Sequence, residues 1–350
     1  MATEVDLTPA LLTELLAHHI GGAAVTAVQA ETVGTGQMAT CLRLRLDYDP
    51  PGAGPASVIA KLPSVDPDSR AAAATARCYE IEVNFYRELH ADLNVRTPAV
   101  FHAEVDVAET DFLLLMADVA PARQGDQLAG CHPDEAAAAV RELANLHAPR
   151  WGHSRLEELE WLHRNTEENK DFVPTVVRML YPGFLERYAD RLAPETQAVA
   201  DRLVAHLDAY FSVRTGPWTV THGDFRLDNL LFEEGEDISV YVVDWQTSVL
   251  GAGVSDLSYF LGSAFPVEQR RQHEQDLVRL YQGHMAAAGV DLDRDDLWHQ
   301  YRRYSFGGLI MAIVASMMVQ RTSRGDDMFM TMAERHGRHA IDLEAATLLS

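Results

Sequence analysis

From about residue 134 onward the apolar positions of this chain recur at helical spacing, apart from one interruption that constrains the fold more than any other feature. Two short runs, Trp218 to Thr221 and Val240 to Val243, are β-branched in character and break the helical pattern. The first leads straight into His222-Gly223-Asp224-Phe225-Arg226-Leu227-Asp228-Asn229-Leu230-Leu231-Phe232, which sets an Asp and an Asn five positions apart, just after one strand and at the start of another. The second delivers Asp244, fifteen residues beyond the Asn. Small pieces of sheet therefore carry polar residues at their ends inside a helical region.

The first hundred or so residues follow a different pattern. Thr8-Pro9 reads as an N-cap and first helical residue, with the helix end marked at Gly21-Gly22. In Cys41-Leu42-Arg43-Leu44-Arg45-Leu46-Asp47 the leucines recur every second residue, so one face is buried and the other wet. Gly34-Thr35-Gly36 separates this strand from the run Thr26 to Val33, and the pair reads as a hairpin. Ser57 to Leu62 gives a third strand, with Lys61 near its end. Arg70 to His90 reads as one helix in which Cys78, Phe85 and Leu89 share a face with Glu82, while Glu80 groups with Arg77, Asn84 and Arg87. Glu82 thus points inward and needs a cation, for which Lys61 is available; with the helix rotated, Glu80 or Glu88 takes that role instead. Val100 to Val105 and Asp111 to Met116 are two further strands, followed by a loop, Ala117 to Pro121, that reads as a crossing point between lobes. Helices are expected from Asp134 to about His147 and from Glu195 to Phe211.

Composition narrows the class. The 350 residues hold 29 Lys and Arg against 52 Asp and Glu, a net charge of −23, which is wrong for a protein that grips a nucleic-acid backbone. Hydrophobic residues at 47% allow a sizeable core. Cys41, Cys78 and Cys131 form no CxxC pair, so a reducing compartment fits. No basic and apolar leader stands at the N-terminus, and the longest apolar run, Phe306 to Val319, is too short for a bilayer and reads as a buried helix. The expectation is a cytoplasmic protein without a membrane span. His18-His19 and His336-His339 read as surface histidines, and Met311, Met317 and Met318 as core.

Phosphoryl transfer from a nucleoside triphosphate needs an Asp near the acceptor hydroxyl and hard oxygen ligands that hold magnesium against the phosphates. Asp224, Asn229 and Asp244 supply that set. His222-Gly223-Asp224 with Asn229 resembles the HGDxxxxN catalytic loop of the aminoglycoside phosphotransferase and ecdysteroid-kinase-like branch of the protein-kinase-like fold, which also includes choline kinases. Gly34-Thr35-Gly36-Gln37, Lys61, Glu82-Val83-Asn84-Phe85-Tyr86, Leu143-Ala144-Asn145-Leu146-His147 and Gly253-Val254-Ser255-Asp256-Leu257 resemble further segments of that superfamily, in the appropriate order, over roughly residues 25 to 265.

The resemblance implies an α+β, two-lobed fold: an antiparallel-sheet nucleotide-binding lobe over 1–116 and a larger, mainly helical lobe over 117–350 holding the catalytic loop and the substrate site, with nucleotide between them. It implies Asp224 as the catalytic base and Asn229 and Asp244 as magnesium ligands. Lys61, Glu82, Gly34, Gly36, Met116 and Ala117 become nucleotide contacts, with His222 and Asp256 in support. Asp256 reads equally well as a loop anchor or as the N-cap of a helix beginning at Leu257. The cofactors implied are Mg2+ and ATP or GTP. The acceptor is a small-molecule hydroxyl, on an aminoglycoside-, amino sugar-, sterol- or choline-like alcohol. Asp244-Trp245-Gln246 replaces Asp-Phe-Gly and no Ala-Pro-Glu follows, which disfavours a protein kinase. The alternative is a catalytically inactive, pseudokinase-like nucleotide-binding module, against which the intact Asp224, Asn229 and Asp244 argue.

Overall fold

The computed structural model describes residues 7–34, 38–213 and 216–349, so Gly36 lies outside the described residues. The chain divides into two compact units: one comprises the chain up to Ala91 with Thr97–Pro121 and Asp244–Gln246, the other Asp92–Arg96, Ala122–Val243 and the chain from Thr247.

The first unit is built on a five-stranded antiparallel sheet. Its elements are α1 (Pro9–Leu15), β1 (Ala24–Val33), β2 (Ala39–Asp49), β3 (Ser57–Pro63), α2 (Pro67–Thr75), α3 (Cys78–Asn84), β4 (Val100–Asp106) and β5 (Asp111–Ala117), with strand order β1-β2-β3-β5-β4. The alternation in β2 does what period two dictates: Leu42, Leu44 and Leu46 are buried with Val58, Ala60 and Leu62 of β3 and Leu12 and Leu16 at α1. Each such leucine contributes about 2 kcal/mol of burial. Lys61 alternates with those β3 residues and leaves the sheet on the other face, toward α3.

The continuous helix expected over Arg70 to His90 is broken. α2 stops at Thr75, Arg77 takes a left-handed φ of 56°, and α3 ends in a wider π-type turn over Phe85–Leu89. The Arg77 guanidinium bridges both carboxylate oxygens of Glu80, three residues on, at 2.7 Å, which ties the first turn of α3 as it restarts at Cys78. α1 likewise ends at Leu15, six residues before the glycine pair.

The second unit is mainly helical. It comprises β6 (Arg123–Gln124), α4 (Pro133–His147), α5 (Phe172–Tyr188), α6 (Pro194–Ala205), α7 (Leu207–Tyr210), β7 (Thr219–Thr221), β8 (Leu230–Glu233), β9 (Ser239–Val242), β10 (Val249–Gly251), α8 (Gly253–Ser263), α9 (Val267–Ala287), α10 (Arg294–Tyr304), α11 (Gly307–Met318) and α12 (Ser323–Asp342). β7 pairs with β10, and β8 lies between β6 and β9. The helix expected from Glu195 to Phe211 divides at His206 into α6 and α7. The apolar run at α11 packs with α5, α6 and α12 into one core. No helix among the described residues is long and apolar enough to cross a membrane.

Met318 and the His336-His339 pair depart from the expectation. Met318, the last residue of α11, is exposed rather than core. His336 and His339 of α12 are fully buried, not surface residues. Space for the His336 ring exists because two other helices carry glycine beside it: a Cβ on Gly262 would lie 2.4 Å from its Nδ1, and one on Gly308 1.9 Å from its Nε2. His339 meets the Glu274 carboxylate at 2.7 Å and the Tyr301 hydroxyl at 3.1 Å.

Candidate active site

The two compact units each gather part of the expected constellation. In the first, Lys61 from β3 reaches Glu82 from α3, with Nζ 2.7 Å from Oε2 and 2.9 Å from Oε1, and Asp244 at 2.6 Å. Glu82 is fully buried and Lys61 is 7% exposed. Burial alone would lower the proton affinity of the lysine, but the carboxylates of Asp244 and Glu82 outweigh it and hold Lys61 well above its ordinary pKa. Burial, with the neighbouring Asp244 charge, pushes Glu82 up against the pull of Lys61. Two carboxylates thus face one ammonium, leaving one negative charge in excess. Cys41, paired with Lys61 across the β2–β3 ladder, is raised by burial to about 11 and stays a thiol.

Asp244 adopts a left-handed φ of 71°, a costly conformation for a non-glycine residue that needs support from its surroundings. Trp245 provides it: its fully buried ring stacks on Phe85 with centroids 3.8 Å apart and planes 7° from parallel. Gln246 Nε2 adds a hydrogen bond to Asp244 Oδ2 at 3.2 Å.

In the second unit β7 ends at Thr221, and His222-Gly223-Asp224 follow it directly. Gly223 has φ +79°, and a Cβ there would stand 2.3 Å from the Thr247 carbonyl oxygen, so glycine is demanded on both counts. Asp256 Oδ2 accepts from the His222 N–H at 2.6 Å and Oδ1 from the Gly223 N–H at 3.0 Å, with His147 Nε2 3.3 Å away. Of its two readings the anchor holds: α8 begins at Gly253, so Asp256 lies inside the helix and not at a cap. His222 Nδ1 accepts from the Asp224 N–H at 3.2 Å and Nε2 faces the Val243 carbonyl at 3.0 Å, an arrangement that suits the neutral tautomer with its proton on Nε2 and makes His222 a brace. The Val243 N–H donates to the Asn229 carbonyl at 3.1 Å, and the chain proceeds directly to Asp244.

Asp224 is held from three sides. The Tyr259 hydroxyl donates to Oδ1 at 2.6 Å, while Arg226 Nε and Asn229 Nδ2 each donate to Oδ2 at 3.0 Å. Asn229 Nδ2 also meets the Asp224 carbonyl at 2.9 Å. The amide nitrogen is therefore committed, and its oxygen is the end available to a cation. Arg226 continues to Asp228 at 2.6 Å; burial would lower it, but Asp224 and Asp228 hold it well above the ordinary arginine pKa. Burial and the Asp224 carboxylate keep Tyr259 protonated far above the usual phenol range.

Gly34 closes β1 with φ +78°. Met116 and Ala117 end β5, and the Ala117 N–H is spent on the Ala99 carbonyl at 2.8 Å. Sequence reading missed Tyr259, Arg226, Asp228 and the fully buried Gln127, whose N–H donates to Asp228 and whose side-chain oxygen accepts from Leu227 N–H. The spacing of Asp256 and Tyr259 is the one signal that offers a clue, because i and i+3 share a helix face.

An antiparallel sheet unit bearing a lysine–glutamate pair, followed by a helical unit bearing a braced His-Gly-Asp loop, defines the protein-kinase-like fold of small-molecule kinases. The chain belongs to the ecdysteroid kinase-like family, whose model matches residues 34–293. The family match and the shared fold support a small-molecule kinase. Among solved structures, choline kinase from Cryptosporidium parvum superposes with a TM-score of 0.57 at 8% identity, covering 91% of this chain and 89% of that one. The spectinomycin phosphotransferase structure with ADP and spectinomycin gives 0.54 at 14% identity, covering 97% and 99%. In sequence, 127 residues are 32% identical to acyl-CoA dehydrogenase family member 10 of Mus musculus, a match over 33% of this chain and only 12% of that protein's length.

Proposed function

We propose that the protein moves the γ-phosphoryl of ATP or GTP, bound with magnesium, to a hydroxyl of a small molecule, an aminoglycoside-, amino sugar-, sterol- or choline-like alcohol. The observation that carries the reading is the Asp224 carboxylate, fixed by Tyr259, Arg226 and Asn229 on a loop whose backbone is gripped by Asp256. The spectinomycin phosphotransferase structure, which holds ADP, supports a nucleotide as donor.

In this reading Asp224 orients the acceptor hydroxyl and accepts its proton as the oxygen attacks. Lys61, held by Glu82, steadies the α- and β-phosphates, and Gly34, Met116 and Ala117 contribute to the nucleotide site. Asn229 and Asp244 hold magnesium. The donor set fits that ion: an amide oxygen left over by the Asp224 contact, and a carboxylate in a triad with excess negative charge, are hard ligands of the kind it prefers. When bound, magnesium neutralises charge on the phosphate oxygens. The domain assignment that goes with this reading is a nucleotide-binding lobe over 1–116 and a catalytic lobe over 117–350.

Isothermal titration of ATP and GTP with and without magnesium tests the nucleotide half. Magnesium-dependent binding lost in Asp244→Ala is the expected result; binding that is unchanged by magnesium and by the substitution contradicts it.

A further inference from the structure

The reading of Asp224 as base leaves open what keeps its carboxylate aimed. Oδ2 is shared by Arg226 and Asn229, whereas Oδ1 has one short partner, the Tyr259 hydroxyl at 2.6 Å. Tyr259 stands on α8, three residues after Asp256, so both side chains issue from one face of one helix. Asp256 grips the backbone immediately before Asp224, and Tyr259 grips the Asp224 side chain. The tyrosine ring is itself backed by His336, with ring centroids 5.5 Å apart, and the His336 ring lies against Gly262 and Gly308, where a Cβ would collide with it. A buried phenol needs some acceptor, and satisfying the core would require no more than that. What goes beyond core satisfaction is the choice of acceptor, the Asp224 carboxylate, with the His336 ring packed behind the tyrosine.

We infer that Tyr259 is a positioning residue for phosphoryl transfer: through its hydroxyl, α8 fixes the orientation of the Asp224 carboxylate that receives the acceptor's proton. This rests on the reading of Asp224 as the base. In this role Tyr259 touches neither the acceptor nor the transferred group and its proton is not consumed; it sets which carboxylate lone pair faces the acceptor. Small misplacements of a reacting group carry large rate costs, because alignment supplies much of the acceleration in such reactions.

The test is Tyr259→Phe, which keeps the ring and its packing and deletes one oxygen. Steady-state kinetics with an acceptor found by phosphoryl-transfer screening should show kcat lower by about 10- to 100-fold, with KM for the nucleotide within about twofold of wild type. A crystal structure of the variant should show the Asp224 carboxylate turned from its wild-type orientation. A variant that melts at a lower temperature but keeps wild-type kcat and the wild-type Asp224 orientation overturns the inference and leaves Tyr259 a core residue. Wild-type protein and Asp224→Ala run alongside separate the two levels. Wild type without transfer, or undiminished transfer in Asp224→Ala, removes the base and this inference with it; an active wild type, a dead Asp224→Ala and an unaffected Tyr259→Phe remove the inference alone.

Discussion

Both compact units place one cation between two carboxylates, and they do it with different chemistry. Lys61 lies between Glu82 and Asp244; Arg226 lies between Asp224 and Asp228. The ammonium is a compact point charge on a flexible stem, able to trade a carboxylate for a phosphate. The guanidinium is a planar fork that fixes the angle between the groups it bridges. On the proposed function, the first cluster suits exchange of partners when nucleotide and metal arrive, and the second suits holding the proposed base still. Their supports differ accordingly: a strained Asp244 backbone backed by stacked Trp245 in one, and a helix contributing Asp256 and Tyr259 in the other.

The sharpest break of this comparison comes from the carboxylates. Asp224→Ala should lower kcat by about 10²- to 10⁴-fold while magnesium-nucleotide affinity survives; Asp244→Ala should lose that affinity as well. Equal effects of both substitutions on binding would erase the distinction between the clusters. Next come the cations. Lys61→Met leaves Glu82 and Asp244 without their ammonium, and the expected destabilisation is about 3–5 kcal/mol by urea unfolding. Arg226→Lys keeps the charge and loses the fork, so turnover should suffer more than stability. A larger loss of stability than of kcat would contradict the fixed-angle account.

Smaller effects probe the packing behind Tyr259 and Asp224. Gly308→Ala pushes a methyl into His336 and should cost about 1–3 kcal/mol in thermal or chemical unfolding. The smallest is a pH slope. Burial holds His336 well below its ordinary pKa of 6.5, and His339 below it too despite Glu274. A group whose folded pKa is depressed contributes stability above its unfolded pKa and loses it as pH falls toward the folded value. Stability should therefore decline below about pH 6.5, by at most about 1.4 kcal/mol per pH unit for each histidine. Calorimetry of His336→Asn should show a shallower slope than wild type, whatever its absolute stability.

Much of this was readable from the sequence because it is local. The burial of Glu82 followed from its place beside Cys78, Phe85 and Leu89 on one helical face, and its partner Lys61 from the cost of leaving that carboxylate alone. The alternation of Leu42, Leu44 and Leu46 gave the sheet face directly. The features that escaped depend on distant chain. Tyr259 lies 35 residues from Asp224 and looks in sequence like any apolar-helix tyrosine. The burial of His336 depends on glycines 28 and 74 residues upstream, which no periodicity in α12 reveals. The break at Arg77 rests on a side-chain bridge to Glu80 within an alanine-rich stretch whose propensities favour continuing the helix.

The measurement that bears most directly on the central claim is transfer of labelled γ-phosphoryl from magnesium-ATP and magnesium-GTP to a library of small alcohols and amino sugars, with wild type beside Asp224→Ala. The account predicts at least one acceptor that gains a single phosphoryl group with wild type and none with the variant. Wild type that binds magnesium-nucleotide yet labels no alcohol, or Asp224→Ala that labels as well as wild type, would contradict it.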